Sequence, residues 1–336
     1  MALTAAAVAC RPAAGPVRVA ETRRAMGVPW TITLYATSEP AGRAALAAAF
    51  AEVDRLERIL SDYDPESELS RLSAAAPMST AVAVGPDLWR VLERAVAIRD
   101  ASGGGFDPTV GPLTTLWRQA RKSGRMPRPD KLTAALAAVG PEALVLDAGR
   151  RAVLLPRPGS RLDLGGIGMG YTADRVLDLL RDRGIRAALV DASGDVAAAG
   201  RPPDSAGWLV AVAGLAAAGP AAASIELADA AVTTSGDAFQ AVEIDGVRYS
   251  HIVDPRTGLG VAGPTAVTVI AADGATADAL ATAASVLGPT VGSALVARFP
   301  GAAARFAWIE DGSPREATTP AWPTPLSQAA SRPGGP

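Results

Sequence analysis

Chemistry in this sequence concentrates in a few short segments, of which the most prominent is Leu162-Asp163-Leu164-Gly165-Gly166-Ile167-Gly168-Met169-Gly170-Tyr171. Glycine lets the backbone approach a ligand closely, and N–H groups at the start of a helix favour anionic phosphate. A pyrophosphate cradle fits this pattern, and so does a tight strand-to-helix turn with no ligand. Neither common phosphate fingerprint is present: there is no G-x-x-x-x-G-K-[ST], and no acidic residue stands at the Rossmann distance after a strand-borne G-x-G-x-x-G. Ser250-His251-Ile252-Val253-Asp254-Pro255-Arg256-Thr257-Gly258 contains the single histidine of the chain. Its imidazole can exchange a proton near neutral pH, with Asp254 or Arg256 to orient it, or the segment is a turn beside an inward-facing strand residue.

Asp278 and Thr282 are four residues apart in a helical pattern and share one face. Two hard oxygen donors so placed can hold Mg²⁺, which takes few protein ligands and fills its shell with phosphate and water. The plainer reading is a first-turn aspartate interacting with the helix dipole, beside a surface threonine. Gly103 to Pro112 forms a loop before a helix carrying Trp117, and Val232-Thr233-Thr234-Ser235-Gly236-Asp237 offers hydroxyls beside a glycine or a capped helix start.

The elements that must position these residues alternate in type. Pro29 to Tyr35 reads as a strand and Gly42 to Leu60 as a helix; helical spacing recurs at Asp87–Ala101, Leu113–Lys122 and Lys131–Ala138. Strand-like runs follow at Ala143–Leu146 and Ala152–Leu155. After the glycine-rich segment comes a helix over Tyr171–Arg183, closed by Gly184, and a strand Ala187–Val190. Ala241–Ile244 and Val247–Ile252 flank Asp245-Gly246, a tight-hairpin dipeptide. A strand at Thr265–Ala271, helices at Ala275–Leu287 and Val291–Phe299, and a strand at Ala304–Ile309 complete the reading. No repeat or long linker interrupts Met26 to Asp311, which predicts one α+β domain of mixed sheets with flanking helices, with a division into two lobes left open.

In this order and spacing the motifs resemble the ApbE family of FAD:protein FMN transferases, from about Met26 to Leu287. Met26-Gly27 resembles the family's early Met-Gly, and Ser61-Asp62-Tyr63 with Ser67-Glu68-Leu69-Ser70-Arg71 its segment with a flavin-contacting tyrosine. Gly105-Phe106-Asp107-Pro108-Thr109-Val110-Gly111-Pro112 matches almost residue for residue. The Asp163, Ser193-Gly194-Asp195, Thr234-Ser235-Gly236-Asp237, His251 and Ala277-Asp278 segments complete the set. The resemblance implies an α+β fold that grips FAD, with Mg²⁺ held by Asp278, Thr282 and a backbone carbonyl at Gly166. It further implies His251 as the group near the attacking hydroxyl, and Tyr63, Phe106, Asp107 and Asp163 as contacts to the flavin or adenosine part. Met26, Gly105, Met169 and Ile252 are carried over as further FAD-binding positions.

Two departures stand out. Met169 occupies a position where the family usually has lysine, and Ala238-Phe239 follow Asp237 where a bulky tyrosine-type residue is common. Lysine at position 169 would tighten FAD binding through a charged contact, unless Met169 packs against an apolar wall. A metal-dependent FAD pyrophosphatase and a non-catalytic flavin-binding lipoprotein are the alternative functions.

The formal charge of −2, without a long Lys/Arg block, argues against a nucleic-acid surface. Hydrophobic residues make up 49%, but many are alanine, so packing leans on few large side chains. The single cysteine, Cys10, excludes an intrachain disulfide and a multi-cysteine metal site. Met1 to Cys10 resembles the end of a lipoprotein signal, although an Ala-rich disordered terminus fits as well, and residues 1–20 are read as one or the other. The family resemblance adds an exported protein on the periplasmic side of a bacterial inner membrane, lipid-anchored at Cys10, acting on the flavoprotein subunit of a membrane redox complex. The domain is expected to span 21–316, and the Pro-, Ala- and Ser-rich tail, 317–336, to be disordered.

Overall fold

The turn Met26-Gly27 joins strands β1 (Val17–Ala25) and β2 (Val28–Ala36) into an antiparallel hairpin in which Ala25 pairs with Val28. Both turn residues have positive φ, 49° and 80°, the two-residue geometry whose twist matches that of the strands. The computed structural model describes residues 15–215, 221–238 and 240–324. Cys10 and Phe239 therefore lie outside the described residues.

After the hairpin come α1 (Glu39–Leu60), α2 (Glu68–Ala74), β3 (Val82–Ala83), α3 (Pro86–Ala101), α4 (Gly111–Ser123), α5 (Pro129–Leu136), β4 (Val145–Asp147) and β5 (Ala152–Leu154). The second half contains α6 (Gly168–Asp182), β6 (Ala187–Ala192), β7 (Asp195–Ala199), β8 (Trp208–Val212), β9 (Ala223–Leu227), β10 (Ala230–Gly236), β11 (Ala241–Ile244), β12 (Val247–Val253), β13 (Gly260–Ala262) and β14 (Thr265–Ala271). Helix α7 (Gly274–Val296), β15 (Ala303–Glu310) and β16 (Ser313–Thr318) close the chain. Eight strands form one antiparallel sheet in the order β1-β2-β6-β7-β10-β14-β15-β16. The β8–β9 hairpin, β3-β5-β4 and β11-β12-β13 form smaller sheets.

Helices α1, α6 and α7 share the main core with one face of the large sheet. Helix α1 starts at Ser38, whose hydroxyl accepts the Ala41 N–H, and buries Ala45, Leu46, Ala49, Phe50, Val53, Leu56 and Leu60 at helical spacing. Helix α7 is apolar on all sides because it lies between the sheet and other helices. Its start is fixed twice: Asp273 accepts the Thr276 N–H, and Asp174 of α6 accepts those of Gly274 and Ala275. On the other face of the sheet, β8 and β9 cover Val196, Ala198 and Val232. A third, smaller cluster of Leu113, Trp117, Ala120, Ala135, Val139, Ile244 and Val253 joins α4 and α5 to β11 and β12.

The α+β expectation holds, and most long elements lie where periodicity puts them. The two helices expected at Ala275–Leu287 and Val291–Phe299 are present as the two parts of α7, separated at Gly288, where φ is 73° and Pro289 follows, and the second ends at Val296. The reading of Val232–Asp237 as a helix start is corrected: Ala230–Gly236 is a central strand paired with β7 and β14. The boundaries at both ends also move. Val17–Ala20 belong to β1, and Thr318 ends β16, with Thr319 Oγ1 accepting the Ala304 N–H at 2.9 Å and Trp322 packed beside β8. Order in the first part of the tail thus comes from strand pairing and capping rather than from a periodic apolar face.

Helices α6 and α7 cross where Gly170 meets Gly274. A Cβ on Gly170 would stand 2.1 Å from the Gly274 carbonyl oxygen, whereas one on Gly168 would find nothing nearer than 4.0 Å. Gly170→Ala is therefore expected to destabilise the protein by about 3 kcal/mol or more, since backbone would have to move, and Gly168→Ala to change stability by about 1 kcal/mol at most. Denaturant unfolding of the two variants reads the difference; equal effects would show that this crossing does not set the helix pair.

Candidate active site

The glycine-rich segment runs alongside the first turns of α7. None of Gly165, Gly166, Gly168 and Gly170 has positive φ, and close approach explains Gly165, Gly166 and Gly170 but not Gly168. A Cβ on Gly166 would lie 2.8 Å from Thr282 Oγ1. Gly170 N–H donates to Asp278 Oδ2 at 3.2 Å, and Ser235 Oγ on β10 lies 3.3 Å from Thr282 Oγ1. The three residues expected to hold a metal, Gly166, Asp278 and Thr282, are thereby brought together. Asp278 is 3% exposed, and burial pushes its carboxyl well above the usual range, with Asp195 and Asp174 adding to the effect. Among the described residues no Lys, Arg or His pairs with it. A buried carboxylate beside a threonine hydroxyl and a backbone cradle is a donor set of hard oxygens, the kind that suits Mg²⁺.

A second group forms around Asp163, at the head of the same segment. Asp163 Oδ2 accepts from Thr114 Oγ1 at 2.7 Å and from Arg118 Nη2 at 3.0 Å, and Oδ1 accepts the Gly165 N–H at 2.8 Å. Arg118 also pairs with Asp62, and its guanidinium lies 4.2 Å from the ring centre of Tyr63. Burial and the neighbouring Asp163 raise the Asp62 carboxyl, against the opposing effect of Arg118. Burial disfavours the Arg118 charge, but Asp163 and Asp62 outweigh it and hold the guanidinium firmly protonated. Tyr63 is 75% exposed, so its ring has a free surface on which an aromatic ligand can stack.

His251 lies on β12 with its Nδ1 3.3 Å from the Gln240 carbonyl oxygen. A carbonyl only accepts, so this contact requires Nδ1 to carry the proton and leaves the Nε2 lone pair free. Burial lowers the imidazole pKa, with Arg121 acting in the same direction, which keeps the ring neutral at pH 7.

Other expected FAD positions sit differently. Phe106 is buried in the main core, Gly105 packs against Leu287, and the Asp107 carboxylate accepts the N–H and hydroxyl of Thr109 at 2.8 and 2.6 Å. The side chains of Phe106 and Asp107 thus build the loop. The Ile252 side chain is also buried. Met169, at the second position of α6, is half-buried and packed against the main core. Met26 occupies its strained turn position, half-buried against the core. Sequence reasoning assigned no role to Asp62, Thr114, Arg118 or Asp195. Thr114 and Arg118, four apart on α4, were the available signal for two of them.

The match to the ApbE family covers residues 26–306. A relative from Treponema pallidum, an FAD:protein FMN transferase, is 34% identical over 312 residues, covering 87% of this chain and 86% of its own. This chain belongs to the ApbE family. Among solved structures, the flavin transferase ApbE from Vibrio cholerae superposes with a TM-score of 0.81 at 28% identity, covering 91% of this chain and 98% of that one. The flavinyl transferase ApbE from Pseudomonas stutzeri, in its apo form, gives 0.81 at 32% identity, with 93% and 97% covered. Within this ApbE fold the Asp62–Arg118–Asp163 array fastens α4 to the glycine-rich segment. Arg118→Ala would leave two carboxylates facing each other, with an expected loss of about 2 kcal/mol, reduced from the fully buried case because Arg118 is partly exposed. Asp62 has a raised pKa in the folded state, so the stability it supplies is present at low pH and lost as pH rises. The deficit of Arg118→Ala should accordingly shrink between pH 8 and pH 4.5. A deficit that is constant across this range in thermal melts would contradict the array's electrostatic role.

Proposed function

We propose that this protein is an FAD:protein FMN transferase that uses Mg²⁺ to move FMN from FAD to a threonine or serine hydroxyl of another protein, releasing AMP. The observation that carries the proposal is that the glycine-rich segment lies against α7 at both Thr282 and Asp278, with Gly166 beside the first and the Gly170 N–H on the second, in a chain of the ApbE family, with no protein cation pairing with Asp278 among the described residues. Gly166, Asp278 and Thr282 would hold the metal, which when bound offsets the pyrophosphate charge and the charge that develops on the departing AMP.

The chain's own residues supply the rest. The exposed Tyr63 ring, backed by Arg118, offers a stacking surface for the isoalloxazine or adenine. Asp163 fixes the glycine-rich backbone through the Gly165 N–H and so sets the phosphate-facing segment. The acceptor hydroxyl oxygen forms a bond to the FMN phosphorus as the bond from that phosphorus to the bridging oxygen breaks, and AMP leaves with that oxygen. The hydroxyl proton passes to His251 Nε2, the free lone pair of a ring held in its Nδ1–H tautomer by Gln240. Water in place of the hydroxyl would give FMN and AMP, the pyrophosphatase outcome.

We place the acceptor as the flavoprotein subunit of a membrane redox complex and the enzyme on the periplasmic side of a bacterial inner membrane, held by lipid on Cys10. Recovery in the membrane fraction of a bacterial host, lost in Cys10→Ser, is expected; an unlipidated, soluble full-length protein would contradict the anchoring. For the reaction, the purified protein is incubated with FAD, Mg²⁺ and a candidate acceptor flavoprotein. A covalent FMN mass increment with equimolar AMP is expected, and Asp278→Ala should lower both by about 100-fold or more while keeping its circular dichroism. FMN and AMP without an adduct would favour the pyrophosphatase, and normal turnover by a folded Asp278→Ala protein would refute the assignment.

A further inference from the structure

We propose that Asp195, with Thr233 beside it on the neighbouring strand, is a positioning residue of the same cation site, holding water ligands of a Mg²⁺ bound at Gly166, Asp278 and Thr282. The inference rests on the metal reading given above and adds residues to which that reading gives no role. Strand alternation supplies the placement. On β7, Val196 and Ala198 face the β8–β9 hairpin while Ala197 and Ala199 belong to the main core, so Asp195 points to the helix side. On β10, Val232 faces the hairpin and Ala231 the main core, which turns Thr233 and Ser235 to the helix side as well. Thr233 is the register partner of Asp195, and Ser235, two residues on, touches Thr282. Thr282 stands one turn from Asp278 on α7. Asp195, Thr233, Ser235, Asp278 and Thr282 thus line one interior space between β7, β10 and α7.

What occupies that space is the unsatisfied part. Asp195 is 8% exposed and Thr233 2% exposed. The Thr233 hydroxyl makes no well-formed hydrogen bond, and beyond its contact with Thr233 no described residue reaches the Asp195 carboxylate. Two interior carboxylates and a spare hydroxyl, without a Lys or Arg among them, are costly unless a cation or ordered water completes them. Mg²⁺ keeps several waters when it binds one or two protein carboxylates, and groups that orient such ligands are typically worth 10–100-fold in metal affinity. The Ser193-Gly194 turn, with φ of 61° and 108°, holds Asp195 at the first position of its strand. That gives the Ser193-Gly194-Asp195 motif a purpose which a plain hairpin would not require.

Calorimetric titration of the full chain with MgCl₂ alone tests this. In Asp195→Asn the dissociation constant for Mg²⁺ should rise about 10–100-fold. Its melting temperature in EDTA should equal or exceed that of the unaltered protein, because a like charge has gone. Thr233→Val should weaken Mg²⁺ several-fold, and it carries the test if the asparagine variant does not fold. A Mg²⁺ affinity within two-fold of the unaltered protein in both variants would overturn the inference while leaving the metal reading intact. Failure of the unaltered protein to bind Mg²⁺, or undiminished binding by Asp278→Ala, would instead overturn the metal reading itself.

Discussion

A carboxylate in a protein interior must be paired, protonated or bound to a metal, and no side chain among the described residues pairs with Asp278. Much of the surrounding architecture follows from this constraint. Helix α7 must be apolar on every side to sit between the sheet and α6, yet it presents Asp278 and Thr282 along one line toward the glycine-rich segment. That segment can reach them only because Gly166 leaves room for Thr282 and Gly170 lets α6 cross α7 backbone to backbone. Gly166 and Gly170 therefore serve the packing of this segment against α7. The left-handed conformations usually sought in such runs are absent here.

The second organising feature joins this cradle to the smaller cluster around Trp117. Asp163 stands at the start of the glycine-rich segment and is held by Thr114 and Arg118 of α4, while Trp117, on the same helix, donates its indole N–H to the Gly258 carbonyl at 2.8 Å. Gly258 closes the segment that begins with His251. One helix thus fixes the glycine-rich segment, the ring of Tyr63 and the turn that follows the strand carrying His251, so the position of His251 relative to Asp163 is set by packing.

Elements with strong periodicity were legible from residue patterns: α1, α3, α6 and β14 lie close to their expected bounds, and the i, i+4 spacing of Asp278 and Thr282 put the two residues proposed as metal ligands on one helix. Strands β1 and β16 were missed because they are edges, exposed and charged, with little apolar alternation to detect. Strand β7 was missed for the opposite reason, since alanines buried on both faces carry no period. That omission hid Asp195, whose facing direction becomes visible only once β7 is paired with β10.

The account depends most on a cation completing the interior oxygens. Crystals soaked in Mn²⁺, a Mg²⁺ substitute visible by anomalous scattering, test this directly. The account predicts an anomalous peak within coordination distance of an Asp278 carboxylate oxygen, Thr282 Oγ1 and the Gly166 carbonyl oxygen. No peak at that position, or Mn²⁺ bound only at surface carboxylates, would contradict it.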